Sequence, residues 1–275
     1  GLFLLTGGPG TGKTTTLRAL YRLLTAMKRN VALAAPTGKA ARRMSEVIGA
    51  PASTVHRLLG AGRSGGEFAH HEEMPLPFDV VVVDEASMLD LFLAYSLARA
   101  VRPGAQLVLV GDADQLPSVG PGQVLGDVLA SQLVPAVHLS RVFRQARESR
   151  IVTAAHEIRQ GLVPELPTPD EPGSDLWFVE APRGRVGATA IRWVVEHLPS
   201  RLKVTPADVQ ILSPQLRGEA GTDQLNRRLQ ELLNPPRAGL AERFSGALPL
   251  REGDRVIHTA NNYQLGVFNG ETGQI

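Results

Sequence analysis

A single glycine-rich stretch near the start constrains the fold more than any other feature. Gly7-Gly8-Pro9-Gly10-Thr11-Gly12-Lys13-Thr14 follows the apolar run Leu2–Leu5 and opens a helix-forming segment, Thr14–Lys28. It fits G-x-x-x-x-G-K-[ST], and a strand before and a helix after are the context that pattern requires. The glycines let the backbone curl so that successive N–H groups point inward and cradle an anion. The following helix adds its positive N-terminal end. Lys13 is placed to reach the β- and γ-phosphates of a nucleotide, and the Thr14 hydroxyl to ligate Mg²⁺. The residues assigned to the nucleotide are Gly8, Pro9, Gly10, Thr11, Gly12, Lys13, Thr14 and Thr15. The competing reading is a glycine-rich turn that fits the pattern by chance.

The rest of the chain supplies the sheet such a loop needs. Val31–Ala35, Val80–Val83, Leu107–Val110, Val137–Leu139, Leu176–Val179 and Val209–Leu212 are short and nearly all apolar. Runs of that kind read as parallel strands buried on both faces. Helical stretches such as Lys39–Ile48 and Leu89–Val101 alternate with them, which predicts an α/β sheet with helices on both sides. With 275 residues, 43% of them hydrophobic, there is material for one large domain or two ordinary ones. The absence of cysteine excludes disulfide scaffolds, thiolate metal sites and cysteine nucleophiles. No run approaches the roughly 20 apolar residues of a membrane span, so no membrane partner is expected. The formal charge of +2 neither announces nor excludes a nucleic-acid partner.

Two more strand ends complete a triphosphatase site. Val80–Val83 delivers Asp84 and Glu85 to the carboxyl end of a strand, where open α/β sheets bind ligands. Asp84 is assigned to Mg²⁺ with Thr14, and Glu85 to polarising the attacking water. The strand ending at Val110 leads into Gly111-Asp112-Ala113-Asp114-Gln115-Leu116-Pro117, where the Gln115 amide is placed to contact a γ-phosphate. Together these features imply a nucleoside triphosphatase that uses Mg²⁺. Taken singly, Asp84-Glu85 reads as a strand-end turn and the Gln115 segment as a polar loop.

The series of motifs resembles a known family. The phosphate loop, Ala35-Pro36-Thr37-Gly38-Lys39-Ala40-Ala41, Asp84-Glu85-Ala86-Ser87-Met88, Gly111-Asp112 through Gln115-Leu116-Pro117-Ser118-Val119, and Val142-Phe143-Arg144-Gln145 resemble motifs I, Ia, II, III and IV of superfamily 1 helicases, in that order. The wording is closest to RecD-like DNA helicases. The resemblance implies ATP as the nucleotide, 5′–3′ movement on single-stranded DNA, and action at junctions of single- and double-stranded DNA. It also implies a monomeric, cytoplasmic motor. Arg144 resembles the arginine that crosses a domain cleft to the γ-phosphate; the alternative is a surface arginine among Arg141, Arg147 and Arg150. Pro36, Thr37, Gly38 and Lys39, with Thr54 and His56 of Ser53-Thr54-Val55-His56-Arg57, resemble the family's DNA contacts. For His56 the plain alternative is a histidine packed locally on a helix.

The resemblance implies two RecA-like domains with parallel sheets: a first motor domain over 1–135, carrying an inserted hairpin at about 61–77, and part of a second over 136–275. Tyr263 or Phe268 in the second is placed to stack on a base or to join the core. Motifs V and VI find no match, nor does the SH3-like domain the family carries near this point. The second motor domain is therefore expected to be cut short. Two alternatives stay open: a nucleotide- and DNA-binding module with little turnover, and an RNA-directed relative.

Overall fold

A computed structural model describes residues 1–61, 68–141, 149–237, 242–245, 248–259, 262, 265, 267 and 270–275. They divide into two compact units. The first comprises Gly1–Pro167, Glu171–Trp177 and Thr259–Glu271; the second comprises Thr168–Asp170, Phe178–His258 and Thr272–Ile275. Among the described residues no helix is long and apolar enough to cross a membrane.

The first unit is built on a six-stranded sheet in the order β3-β2-β4-β5-β1-β6. Its strands are β1 (Leu2–Gly7), β2 (Val31–Ala35), β3 (Ala52–Thr54), β4 (Val80–Val83), β5 (Gln106–Gly111) and β6 (Ala136–Leu139). Every pairing is parallel. All-apolar strands suit this layout, because successive side chains point to opposite faces and both faces are covered. Leu4, Ala34, Val81, Val83, Leu107 and Leu109 lie in one apolar cluster, while Leu5, Leu33, Val80, Val82, Val108 and Val110 lie in the other.

Each cluster is closed by helices. Leu17 of α1 (Lys13–Ala26) and Met44 and Ile48 of α2 (Gly38–Ile48) cover the second cluster. The first is covered by Val55 of α3 (Val55–Leu58), by Leu93, Leu97 and Ala100 of α4 (Leu91–Ala100), and by Leu125 of α5 (Val124–Ser131). Leu93, Leu97 and Ala100 recur at the i, i+4, i+7 spacing that puts one helix face on a core. Each fully buried Leu or Val contributes roughly 1.5–3 kcal/mol.

The expected boundary after residue 135 falls inside this sheet. Leu4 to Gly7 of β1 pair with Ala136 to Leu139 of β6, and the first unit continues through α6 (Arg150–Arg159). The stretch at 61–77 has residues 62–67 outside the described set. The rest of it forms no hairpin strand, and Leu76 is buried and bridges to Val101.

The expected strands Leu176–Val179, which straddles the two units, and Val209–Leu212, in the second, do not form. Their runs are short, and the carbonyl oxygen of Val209 accepts from the Arg255 side chain at 3.4 Å instead of pairing with a strand. The second unit contains α7 (Val186–Arg192), α8 (Leu198–Leu202) and α9 (Thr222–Leu233), with the antiparallel pairs β7 (Glu242–Ser245)–β8 (Leu248–Arg251) and β9 (Arg255–Ile257)–β10 (Thr272–Gln274). The buried Asp254 ties these parts together, accepting from Gln230 and Asn234 of the α9 end and from the Arg251 N–H.

Candidate functional site

The site lies at the carboxyl edge of the first sheet. Parallel pairing sets Leu4 level with Leu109 and Leu109 level with Val83, so β1, β5 and β4 end side by side. The phosphate loop, Asp84-Glu85 and the Asp112–Gln115 segment therefore emerge at one edge.

Sterics hold the phosphate loop. Gly12 caps α1 with φ of 88°, a left-handed conformation that costs a residue with a Cβ roughly 1–2 kcal/mol. At Gly7 a Cβ would lie 2.6 Å from Thr11 Oγ1 and 2.8 Å from the Leu139 carbonyl oxygen, so only glycine fits between the loop and β6. Thr11 Oγ1 donates to the Gly8 carbonyl at 2.8 Å. The Lys13 ammonium donates to the carbonyls of Gly7 and Gly8 at 2.6 and 2.9 Å, folded back across the mouth of its own loop. Thr14 is half-buried and Thr15 exposed at the start of α1.

Asp84 and Glu85 follow β4. Asp84 Oδ1 accepts from the Glu85 N–H at 2.9 Å. Burial pushes the Asp84 carboxyl above its usual range, against that hydrogen bond and the positive charges of Lys13 and Arg43. Burial also raises Glu85, and the neighbouring charge of Asp84 adds to it. Glu85 sits at φ 53°, a region few non-glycine residues occupy. This twist starts the short 3₁₀ turn Ala86–Met88, whose Ser87 hydroxyl is buried with no hydrogen-bond partner among the described residues.

After β5, Asp112 is buried and its Oδ1 accepts from the Asp114 N–H at 3.1 Å. The Gln115 N–H donates to the Asp112 carbonyl at 3.3 Å, and the Gln115 side chain is exposed. Arg144, the expected crossing arginine, lies outside the described residues, as do Tyr263 and Phe268. Among the described residues no cluster of three or more His, Asp or Glu is arranged to hold a metal ion. One hydroxyl and one carboxylate still suit Mg²⁺, which takes few protein ligands and completes its shell with phosphate oxygens and water.

The residues assigned to DNA lie at the neighbouring strand ends. Ala35 of β2 is level with Thr54 of β3, so Pro36–Lys39 and Thr54–His56 leave the sheet together. Thr37 caps α2, its Oγ1 accepting from Ala40 N–H at 3.2 Å; Gly38 is buried and Lys39 exposed. Thr54 is itself buried, and its Oγ1 accepts from Arg57 N–H at 3.2 Å, capping α3. Its hydroxyl thus sits beneath the surface rather than on it. His56 is half-buried and packs against Phe68 with ring centroids 5.9 Å apart; burial lowers its pKa, partly offset by Asp90.

The sequence reading missed three basic residues and one acidic one. Arg43 of α2 bears on Asp84 and Glu85. His156 and Arg159 of α6 come up against Gly8, and Arg159 pairs with Asp114 at 3.1 Å. For Arg43 the four-residue spacing from Lys39 was a usable signal; for α6 nothing local announced the contact.

A family model described as an AAA domain matches residues 1–171. A second, described as the ATP-dependent RecD-like DNA helicase SH3 domain, matches residues 225–275. That match overturns the expectation that no SH3-like part is present. The signal was hidden because its strands are three or four residues long and broken by glycine and proline. The chain is 43% identical over 274 residues to an ATP-dependent RecD2 DNA helicase of Deinococcus radiodurans, covering all of this chain and 36% of that protein. It is 36% identical over 316 residues to the RecBCD enzyme subunit RecD of Mycolicibacterium smegmatis, covering all of this chain and 54% of that one. The chain thus spans between about a third and half of the length of these relatives. A structure solved for DNA unwinding at forked double-stranded DNA by two coordinating Pif1 helicases shares the fold, with a TM-score of 0.51 at 20% identity over the whole chain and 66% of that one.

Proposed function

The chain belongs to the AAA domain family, and within it to the RecD-like helicases, and from that premise we propose that it is the nucleotide-binding part of a motor that hydrolyses ATP to move 5′–3′ on single-stranded DNA and open duplex at junctions. One observation carries the reading: parallel pairing brings the ends of β1, β4 and β5 level, so that Lys13, Asp84, Glu85 and the Gln115 loop share one edge. In it Lys13 leaves the Gly7 and Gly8 carbonyls for the β- and γ-phosphates. Thr14 and Asp84 are the two protein oxygens offered to Mg²⁺, which when bound neutralises charge on the phosphate oxygens. Glu85, with its raised pKa, accepts a hydrogen bond from the water that attacks the γ-phosphorus. Gln115 reports whether that phosphate is present, and Arg144, which lies outside the described residues, is assigned to the γ-phosphate by its resemblance to the family's arginine.

The DNA track runs past Pro36, Thr37, Gly38 and Lys39 and the neighbouring Thr54 and His56. The amino end of α2 offers backbone N–H groups and Lys39 an exposed ammonium, which suits phosphates read without base sequence. Thr54 shapes this edge by capping α3, and His56 presents a neutral ring.

ATP hydrolysis measured with and without single-stranded DNA, at several salt concentrations, tests the proposal. DNA is expected to raise turnover, with the gain shrinking as salt rises. Lys13→Ala is expected to abolish it; sustained turnover in that variant sinks the assignment. Competition between matched DNA and RNA strands decides the nucleic acid.

A further inference from the structure

The phosphate loop has a cationic neighbour that none of the motifs contains. On α6, Arg159 Nη1 lies 3.9 Å from the point where a Cβ on Gly8 would stand, and His156 Cε1 lies 3.5 Å from the same point. Gly8 is also where the Lys13 ammonium rests, on the Gly7 and Gly8 carbonyls. That ammonium belongs to the β- and γ-phosphates once a nucleotide enters. A second fixed positive charge, Arg159, therefore stands at the same end of the loop.

Arg159 is held there by the segment that carries Gln115. Its Nη1 is 3.1 Å from Asp114 Oδ2, and both side chains remain well exposed, at 38% and 47% of their full area. An ion pair so open to water is weak and exchangeable. A terminal phosphate carries more charge than one carboxylate and accepts a guanidinium in the same forked geometry. The helix itself is firmly set: the Asp175 carboxylate accepts from the Ser149 hydroxyl and from the Arg150 and Ile151 N–H groups at its amino end, and Ser149 caps Val152. His156 Nε2 is buried with no hydrogen-bond partner among the described residues, and the Cε1 edge of the same ring lies beside Gly8.

We propose that Arg159 is a ligand for the terminal phosphate of the nucleotide, held by Asp114 until the phosphate arrives, and that its transfer frees the loop bearing Gln115. This rests on the reading of residues 7–14 as a nucleotide site. It makes the two partners of one ion pair act in opposite directions, since Arg159 helps the phosphate and Asp114 competes with it. An ion pair that merely braces the fold would make both losses act alike.

The test is calorimetric titration of the full chain with ATP and with ADP. Arg159→Gln is expected to weaken ATP about tenfold and leave ADP within about twofold, with Arg159→Lys between it and the native protein. Asp114→Asn is expected to tighten ATP by about two- to fivefold. Equal weakening of ATP and ADP by Arg159→Gln, or unchanged or weaker ATP binding in Asp114→Asn, overturns the proposal. Asp114→Asn preserves side-chain shape and decides the matter alone if Arg159→Gln does not fold. Lys13→Ala separates the two levels. If it binds ATP as the native protein does, the nucleotide site itself falls and Arg159 with it. If it loses ATP while Arg159→Gln keeps the native ratio of ATP to ADP affinity, only the role of Arg159 falls.

Discussion

Single side chains at the sheet edge carry opposite demands of stability and chemistry. A methyl group at Gly7 meets Thr11 Oγ1 and a backbone carbonyl that cannot step aside. Gly7→Ala is therefore expected to cost about 1–3 kcal/mol, read as a lower urea midpoint. Glu85 points the other way. Its raised pKa means that the charged form is disfavoured in the fold, a penalty present above the folded pKa and relieved as pH falls through it. Glu85→Gln is expected to leave the urea midpoint at pH 7 equal to or above that of the native protein while hydrolysis stops; a lower midpoint would show the charge to be stabilising. His56 is depressed, so the unfolded chain takes up its proton first and stability falls as pH drops through the ordinary histidine value of about 6.5. Comparing midpoints at pH 7 and pH 5, the loss is expected to be smaller in His56→Gln than in the native protein.

Elements are joined here by short polar caps at the same edge that holds the site. Thr37, Thr54 and Asp90 each accept a backbone N–H at the start of α2, α3 and α4. Asp90→Ala is expected to destabilise by about 0.5–2 kcal/mol in equilibrium unfolding. These caps were legible only in part. From the sequence Thr37 and Thr54 both read as DNA contacts, and burial alone separates the two, Thr37 being half-buried and Thr54 buried. The four strands β1, β2, β4 and β5 were legible because an all-apolar run packed between helix layers leaves a direct trace in composition, while β6 was legible from Val137–Leu139 although it lies largely exposed at the sheet edge. The three-residue β3 leaves no such trace, and it forms because Leu33 to Ala35 of β2 present an open edge for it. Val209–Leu212 shows the reverse: an apolar run makes a strand only where a neighbouring edge is there to pair with it.

At the scale of the whole molecule the first unit is a sheet cored on both faces, and Leu4 is fully buried in one of them. Leu4→Ala is expected to cost about 2–5 kcal/mol. The chain's two tryptophans separate the units, since Trp177 belongs to the first and Trp193 to the second. In a Trp193→Phe background the loss should appear in the unfolding curve reported by Trp177 fluorescence. The sequence alone determined the nucleotide loop, the acidic pair and the parallel-sheet class, because each depends on residues adjacent in the chain: a left-handed glycine, a hydroxyl after a lysine, a carboxylate ending an apolar strand. The tertiary structure alone decided that β6 closes the first sheet, that Thr54 lies beneath the surface, and that α6 brings His156 and Arg159 to Gly8. Those contacts join residues up to about 150 positions apart, and such pairings follow from how strands and helices pack.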